Sequence, residues 1–399
     1  HLVVDTGAGS DLVVASLDGN AATAAAGASL VTTAAERVVF ASSANTAATD
    51  WRLADDALHA GAPGANGTLV LQTIAASEVD LALGDGADTL RVGALRTATT
   101  VDLRGGADLV TIGDSRPADA DARRDLTDIT ATLQLQGSSG DDALLIDDAA
   151  HLAMAAPGVV DVGRIRGLGM GAAAGLDFSG FESLDLTLGD GADELTLVDT
   201  AITTTLRTDA TTAGRADRVL VRNAAAGATI DLGAGDDEVT VLAGTALTLA
   251  AGAGVDTVSF DVSGSTAAVT GAVLGGSGGS GQVSGIGPVI DAAFLGFDAA
   301  RLRFGSGSDG LLIDDALDAV ALTADMGSGD DQVTISRIGS ATQIVGGSGQ
   351  DQVRLDIPAA PESPLHAGLI DDLGLSGVET LEVDNHAHDG AVDWQLIDG

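Results

Sequence analysis

The chain has 399 residues, 45% hydrophobic and only 2% aromatic, with 58 acidic against 18 basic side chains and a formal charge of −40. That charge excludes binding to nucleic acid or to an anionic membrane surface, since both would repel it. There is no cysteine to form a disulfide or to mark a redox compartment. Every apolar stretch is broken by polar residues too soon to cross a bilayer, so no direct membrane insertion is expected.

Along the chain a short phrase returns: a glycine turn, an aspartate, then an alternating apolar strand. It occurs at 7–14, 84–92 and 189–197, then at 233–241, 252–260, 327–335 and 346–355. The last aspartates of these turns fall in runs. Asp88 and Asp108 are 20 apart; Asp217, Asp237 and Asp256 are 20 and 19 apart; Asp309, Asp331 and Asp351 are 22 and 20 apart. A step near 20 is too short for a helical repeat and suits one coil of a β-solenoid.

One such coil is legible between 233 and 260. The turn Gly233 to Asp237 leads into a strand over Glu238 to Val241. A plain corner at Leu242 to Ala246 follows, and then a strand over Leu247 to Leu249. Residues 327–355 repeat the plan with Gln332 to Ile335, a corner at Arg337 to Ala341, and Gln343 to Val345. Within each strand the apolar residues alternate, as in Val239 and Val241, so one face points inward. The predicted fold is therefore all-β: an elongated parallel β-solenoid, of β-roll or β-helix type, with about 20 residues per coil. Roughly 20 coils at about 4.8 Å would make a rod on the order of 90 Å long. Insertions at 114–128 and 157–177 would shorten it.

Each turn combines flexible glycines, backbone carbonyls and one or two carboxylates, the hard oxygen ligands that calcium takes. Stacked carboxylates about 5 Å apart repel by roughly 3 kcal/mol at an effective dielectric near 20. A column of them either accepts cations or loses stability. Asp88, Asp108, Asp237, Asp256, Asp309, Asp331 and Asp351 are the candidate Ca2+ ligands. The competing reading is that glycine and aspartate are simply good turn formers. The acidity has a second explanation too, adaptation to a salty milieu. The total absence of lysine fits that, and fits a GC-rich coding bias equally well.

The turns resemble the haemolysin-type (RTX) calcium-binding nonapeptide, Gly-Gly-x-Gly-x-Asp followed by an apolar-x pair. Gly346-Gly347-Ser348-Gly349-Gln350-Asp351 matches it in full, whereas Leu232-Gly233-Ala234-Gly235-Asp236-Asp237 lacks the first glycine. The resemblance implies a β-roll with calcium held between the turns of neighbouring coils. That family repeats every nine residues and carries such turns on both edges. Here the step near 20 predicts them on one edge only. Ala213-Gly214-Arg215-Ala216-Asp217 places an arginine inside the loop and reads as a degraded turn.

A second resemblance covers nearly the whole chain. Phe178-Ser179-Gly180-Phe181-Glu182-Ser183-Leu184-Asp185-Leu186 is similar to the β-strand-repeat segments of very large bacterial surface proteins. Related pieces stand at Phe294 to Asp298 and Leu375 to Leu381. A Leu-Ala/Ile-Asp-Asp marker at 53–56, 145–148, 312–315 and 369–372 divides the chain into coils continuing an upstream repeat (1–54) and modules at 55–147, 148–314 and 315–399. The end, from Trp394 to Gly399, echoes 51–56, so the segment reads as part of a longer array.

Enzymatic sites are not expected. Polysaccharide-acting β-helix enzymes use calcium, but they hold sugar with basic residues or aromatics. Here Arg301 and Arg303 alternate on a strand beside acids, and Arg123 and Arg124 sit in an insertion. His386 and His388 alternate near the end and could share one face of a strand, but read as an exposed loop. Trp51 and Trp394 read as plugs at equivalent module ends. Gly275 to Gly287 lacks the ending of a phosphate loop and reads as a flexible loop or degenerate turn. The expected role is structural, outside the cell or on its surface: a fibre, stalk, surface layer or adhesin shaft. Expected partners are further copies, end to end or laterally, and a cell-surface or glycan contact. The alternative is a carbohydrate-binding adhesive surface or, less favoured, a calcium-dependent polysaccharide-acting enzyme.

Overall fold

The computed structural model describes residues 2–5, 10–16, 30–33, 35–61, 68–74, 76–113, 124–151, 157–209, 211, 214–275, 279–287, 290–314, 319–338, 340–356 and 373–384. Among these residues there are strands and turns but no helix. The chain divides into two compact units, 1–239 with 244–254, and 240–243 with 255–399. His386, His388, Trp394, Arg123 and the marker at 369–372 lie outside the described residues.

In unit 1 consecutive strands alternate between two sheets, A and B, and each pairs in parallel with the strand two places on. Thr89–Val92, Leu109–Ile112, Ala143–Asp147, Ser183–Thr187 and Thr203–Arg207 succeed one another in sheet A. Ala98–Gly105 and Thr132–Ser139 lie side by side in sheet B, as do Glu194–Leu197 and Arg218–Val221 further on. Parallel, in-register pairing stacks like on like: Leu90, Val110, Leu144 and Leu184 form one buried row. The period-two alternation of the sequence is what makes this work, because the inward residues of successive repeats meet. Each such valine or leucine contributes about 2 kcal/mol by leaving water.

Unit 2 follows the same rule with sheets C and D. Thr257–Asp261, Ala299–Arg303, Ala321–Asp325 and Thr342–Val345 succeed one another in sheet C. Gly310–Asp314, Gln332–Ile335, Gln352–Asp356 and Thr380–Asp384 do so in sheet D. The expected strands at Glu238–Val241 and Gln332–Ile335 are found with those bounds, and the return strands are slightly longer, at Gly244–Ala250 and Thr342–Val345. Arg301 and Arg303 are exposed on their strand, and the Arg303 guanidinium lies 3.7 Å from Asp261. Such exposed pairs contribute little, typically under ~1 kcal/mol.

Among the described residues, three antiparallel triplets interrupt the parallel order. Asp50–Ala54, Ala57–Gly61 and Thr68–Ile74 double back within sheet A. Gly158–Asp161, Arg164–Arg166 and Gly175–Ser179 do so within sheet B. Thr270–Gly275, Ser280–Ile286 and Ile290–Leu295 do so within sheet D. The expected insertion at 157–177 is therefore woven into a sheet. The expected loop at 275–287 is corrected likewise: Val283 and Ile286 are fully buried and hold Ser280–Ile286 as the middle strand. Their burial outweighs the low strand propensity of the surrounding glycines.

Candidate functional site

All seven predicted aspartates occupy one structural position, the last residue of a turn, immediately before a strand. There each is at least 97% buried, pointing into the protein. In place of an outward carboxylate display, the aspartates form columns, in which a backbone N–H donates to the carboxylate of the equivalent residue in the next repeat.

In unit 1 the first column precedes strands of sheet A. The Thr49 N–H donates to Asp88 Oδ1 at 2.8 Å, Asp88 N–H to Asp108 Oδ1 at 2.7 Å, Asp108 N–H to Asp142 Oδ1 at 2.8 Å, and Asp142 N–H to Glu182 Oε2 at 2.6 Å. A second column precedes strands of sheet B. Asp193 N–H donates to Asp217 Oδ1, and Asp217 N–H to Asp237 Oδ1, both at 2.7 Å. In unit 2, Asp256 N–H donates to Asp298 Oδ2 at 2.8 Å ahead of sheet C. The longest run there precedes sheet D: Val269 N–H to Asp309 at 2.7 Å, Asp309 to Asp331 at 2.7 Å, Asp331 to Asp351 at 3.0 Å, and Asp351 to Glu379 at 2.7 Å.

One expectation changes. The turns are not confined to one edge. A turn entering sheet A lies at the opposite end of its strands from a turn leaving it, so the acids change edge within unit 1 between Glu182 and Asp193. They change again within unit 2 between Asp298 and Asp309. The arginine-bearing turn at 214–217 keeps its place in a column, because Arg215 stays outside while Asp217 takes the buried position.

Sequence reasoning missed Asp142, Asp193, Asp298, Glu182 and Glu379 as members of the columns. The available signal was an acid directly before an alternating strand, with or without glycines ahead of it. The Phe-Glu and Val-Glu segments at 181–182 and 378–379 carry that signal. Trp51 has a defined part as well. Fully buried at the head of the first column, it donates from its indole Nε1 to Asp88 Oδ2 at 3.2 Å.

The glycines follow from the stacking. Gly347 has φ +99, and a Cβ there would lie 1.9 Å from the carbonyl oxygen of Gly327 in the turn beneath. Gly349, at φ +150, would place one 1.7 Å from the oxygen of Gly329. Close backbone approach and left-handed φ therefore both demand glycine. We expect Gly347→Ala to lower stability by about 2 kcal/mol or more, read as a fall in the urea midpoint at unchanged m-value.

The second carboxylate oxygen gives the columns their chemistry. In Asp88 it accepts from Trp51 and from the Gly84 N–H at 3.3 Å. In Asp108, Asp331 and Asp351 the Oδ2 is buried with no hydrogen-bond partner. A buried carboxylate with an unsatisfied oxygen is costly unless it binds a proton or a cation. Burial accordingly pushes Asp108 up to about 7, Asp331 up to about 6 and Asp217 up to about 8, with neighbouring column aspartates adding repulsion in each case. Burial also raises Asp88 and Asp309.

No group of three or more His, Cys, Asp or Glu side chains is arranged to hold a metal among the described residues. A cation here would take one carboxylate oxygen per turn and complete its shell from turn carbonyls. The unpartnered Oδ2 atoms fit that demand. No helix among the described residues is long and apolar enough to cross a membrane. No protein-family model matches the chain, and no curated protein is significantly similar to it.

Proposed function

We propose that the chain is a structural segment of a secreted or cell-surface protein, an elongated parallel β-solenoid whose coils each take one strand from either sheet. Calcium at the stacked glycine–aspartate turns would stiffen it, so that a fibre, stalk, surface layer or adhesin shaft is assembled from such coils. One observation carries this reading: turns stacked in register with buried carboxylate oxygens that lack a partner. Repeats that bury their core locally can be extended without limit, which suits a shaft. A column of ionised carboxylates is self-repelling without cations, so the chain would stay loose where calcium is scarce and set where it is abundant. The reading assigns no catalytic role to the exposed arginines or to the columns. End-to-end association would follow from the unpaired strand edges that every open solenoid presents.

The test is a far-UV circular dichroism melt after chelation, run in low salt, in sodium chloride of matched ionic strength, and with millimolar calcium. A rise in Tm with calcium well beyond that with sodium chloride is expected. An equal rise with sodium chloride would mean that the carboxylates need only screening, and the calcium-set shaft would be abandoned.

A further inference from the structure

The antiparallel triplet of sheet B also builds a pocket of about 210 Å³. One wall is the hairpin tip, Asp161 to Gly163; the others come from the end of Gly175–Ser179 and from the residues that follow Glu194–Leu197. Val160, Phe181 and Leu184 are buried and make its floor, while Phe178 and Ile202 are half-buried in its walls. Phe178 meets Phe181 edge-on, with ring centroids 6.2 Å apart. The pocket is therefore apolar at depth. It falls below the roughly 300 Å³ at which drug-sized ligands begin to fit, so its occupant is small.

Its charge is one-sided. Two acidic residues line it, Asp161 and Asp199, and among the described residues no basic one does. Asp161 is exposed and Asp199 half-buried, so both belong to the outer part of the pocket and not to its floor. They leave adjoining strands: Gly158–Asp161 pairs in parallel with Glu194–Leu197, and the Val198 N–H donates to the Val160 carbonyl at 2.8 Å. Both accept from neutral donors, Asp161 from the Val162 N–H at 2.8 Å and Asp199 from the Asn223 side-chain amide at 3.0 Å. Arg164 lines the neighbouring cleft instead, where Asp177 engages it through two hydrogen bonds. Asp161 acts on that guanidinium less than Asp177 does. On a chain of charge −40, such a mouth draws in cations and turns anions away.

We propose that this pocket binds a primary ammonium ion that carries a short apolar group. The apolar group enters between Phe178 and Ile202, and the ammonium stays at the mouth, where its three N–H donors serve Asp161 and Asp199. A free amine and the N-terminus of a peptide that begins with an apolar residue share this chemistry. A lysine side chain does not, because its ammonium sits at the tip and would lead into the apolar floor, where an unpaired charge is costly. The site is independent of whether the columns bind calcium.

Saturation-transfer NMR titrations of the full chain, in millimolar calcium at fixed ionic strength, test it. The probes are isoamylamine, isoamyl alcohol, methylamine and the peptide Leu-Gly-Gly amide. Isoamylamine is expected to bind, with saturation strongest at its methyl groups, and the alcohol and methylamine to bind at least tenfold more weakly. A peptide that matches isoamylamine assigns the site to peptide N-termini, and one at least tenfold weaker assigns it to free amines. Asp161→Asn and Asp199→Asn keep the oxygen that accepts from the neutral donor. Each should therefore leave Tm nearly unchanged while weakening isoamylamine about tenfold. Ile202→Ala should weaken isoamylamine and leave methylamine as it was. Equal binding of the alcohol would make the pocket a mere apolar crevice, and equal binding of methylamine would leave only the general pull of an acidic chain on cations. Either result overturns the proposal. So does an absence of amine binding, or binding that both aspartate variants leave intact.

Discussion

Stripped of divalent cations, this protein should be more stable at about pH 5 than at about pH 8, the reverse of the usual acid denaturation. The cause is the buried columns. An unfolded aspartate loses its proton near pH 3.9, whereas burial holds Asp331 to about 6, Asp108 to about 7 and Asp217 to about 8. Across that window the folded chain keeps protons that the unfolded chain has lost, so stability is full below the unfolded pKa. It falls as pH rises through the folded values. Each tenfold gain in proton affinity on folding is worth about 1.4 kcal/mol. The three groups together, after discounting relaxation around them, make a loss on the order of 5 kcal/mol between these limits, comparable to the net stability of a whole domain. Urea titrations at a series of pH values after chelation would read it directly. A midpoint that is flat or rises with pH would show that the columns are ionised throughout without penalty. Calcium should flatten the slope at the alkaline end, because a cation bound at Oδ2 favours the ionised form that the proton opposes.

Much of this arrangement is legible in the sequence, because a repeat writes the same physics many times. Alternating Val239 and Val241, or Val333 and Ile335, can only be a strand with one inward face, and the step near 20 leaves room for two such strands and two turns. Direction was harder to read. Whether Asp237 or Asp236 points inward depends on register, and a one-residue change exchanges the faces. In the structure Asp237 is buried and Asp236 exposed. The change of edge is also hidden, because Leu83 to Asp88 and Leu188 to Asp193 have the same six residues. Only the number of strands between them shows that they enter different sheets, and that number depends on the antiparallel triplets. Ser280–Ile286 looked like a linker because glycine and serine dominate it. Tertiary burial of Val283 and Ile286 decided otherwise.

The triplets and the columns go together. In unit 1 the first column begins at Thr49, the residue ahead of the sheet A triplet, and the second precedes strands of sheet B, which holds the next triplet. In unit 2 the longest column begins at Val269, ahead of the sheet D triplet. Each of these two columns starts on a plain backbone N–H, and both end on a glutamate, Glu182 or Glu379, whose longer side chain spans a turn of different shape. A module is thus a triplet with the acid column that runs on from it.

Asp331 is where the two roles of a column residue can be separated. Its Oδ1 accepts from the Asp309 N–H and its own N–H donates to Asp351, while its Oδ2 has no partner. Asp331→Ala removes the acceptor and leaves a buried N–H unsatisfied beside a small void, so it should destabilise by about 3 kcal/mol with or without cations. Asp331→Asn keeps the acceptor and removes the charge that repels Asp309, Asp351 and Asp330. Without cations at about pH 8 it should therefore stabilise by about 2 kcal/mol, and the gain should shrink as pH falls below about 6 and vanish only towards the unfolded value near 3.9. With calcium the order should reverse, because the asparagine has lost the anionic oxygen that a cation would take. Paired denaturation curves of the two variants, with chelator and with millimolar calcium, give four comparisons with wild type. If asparagine were as damaging as alanine in the chelated samples, the charge would be a required part of the folded core. The columns would then be ion-paired or solvated in a way that their unpartnered oxygens do not allow.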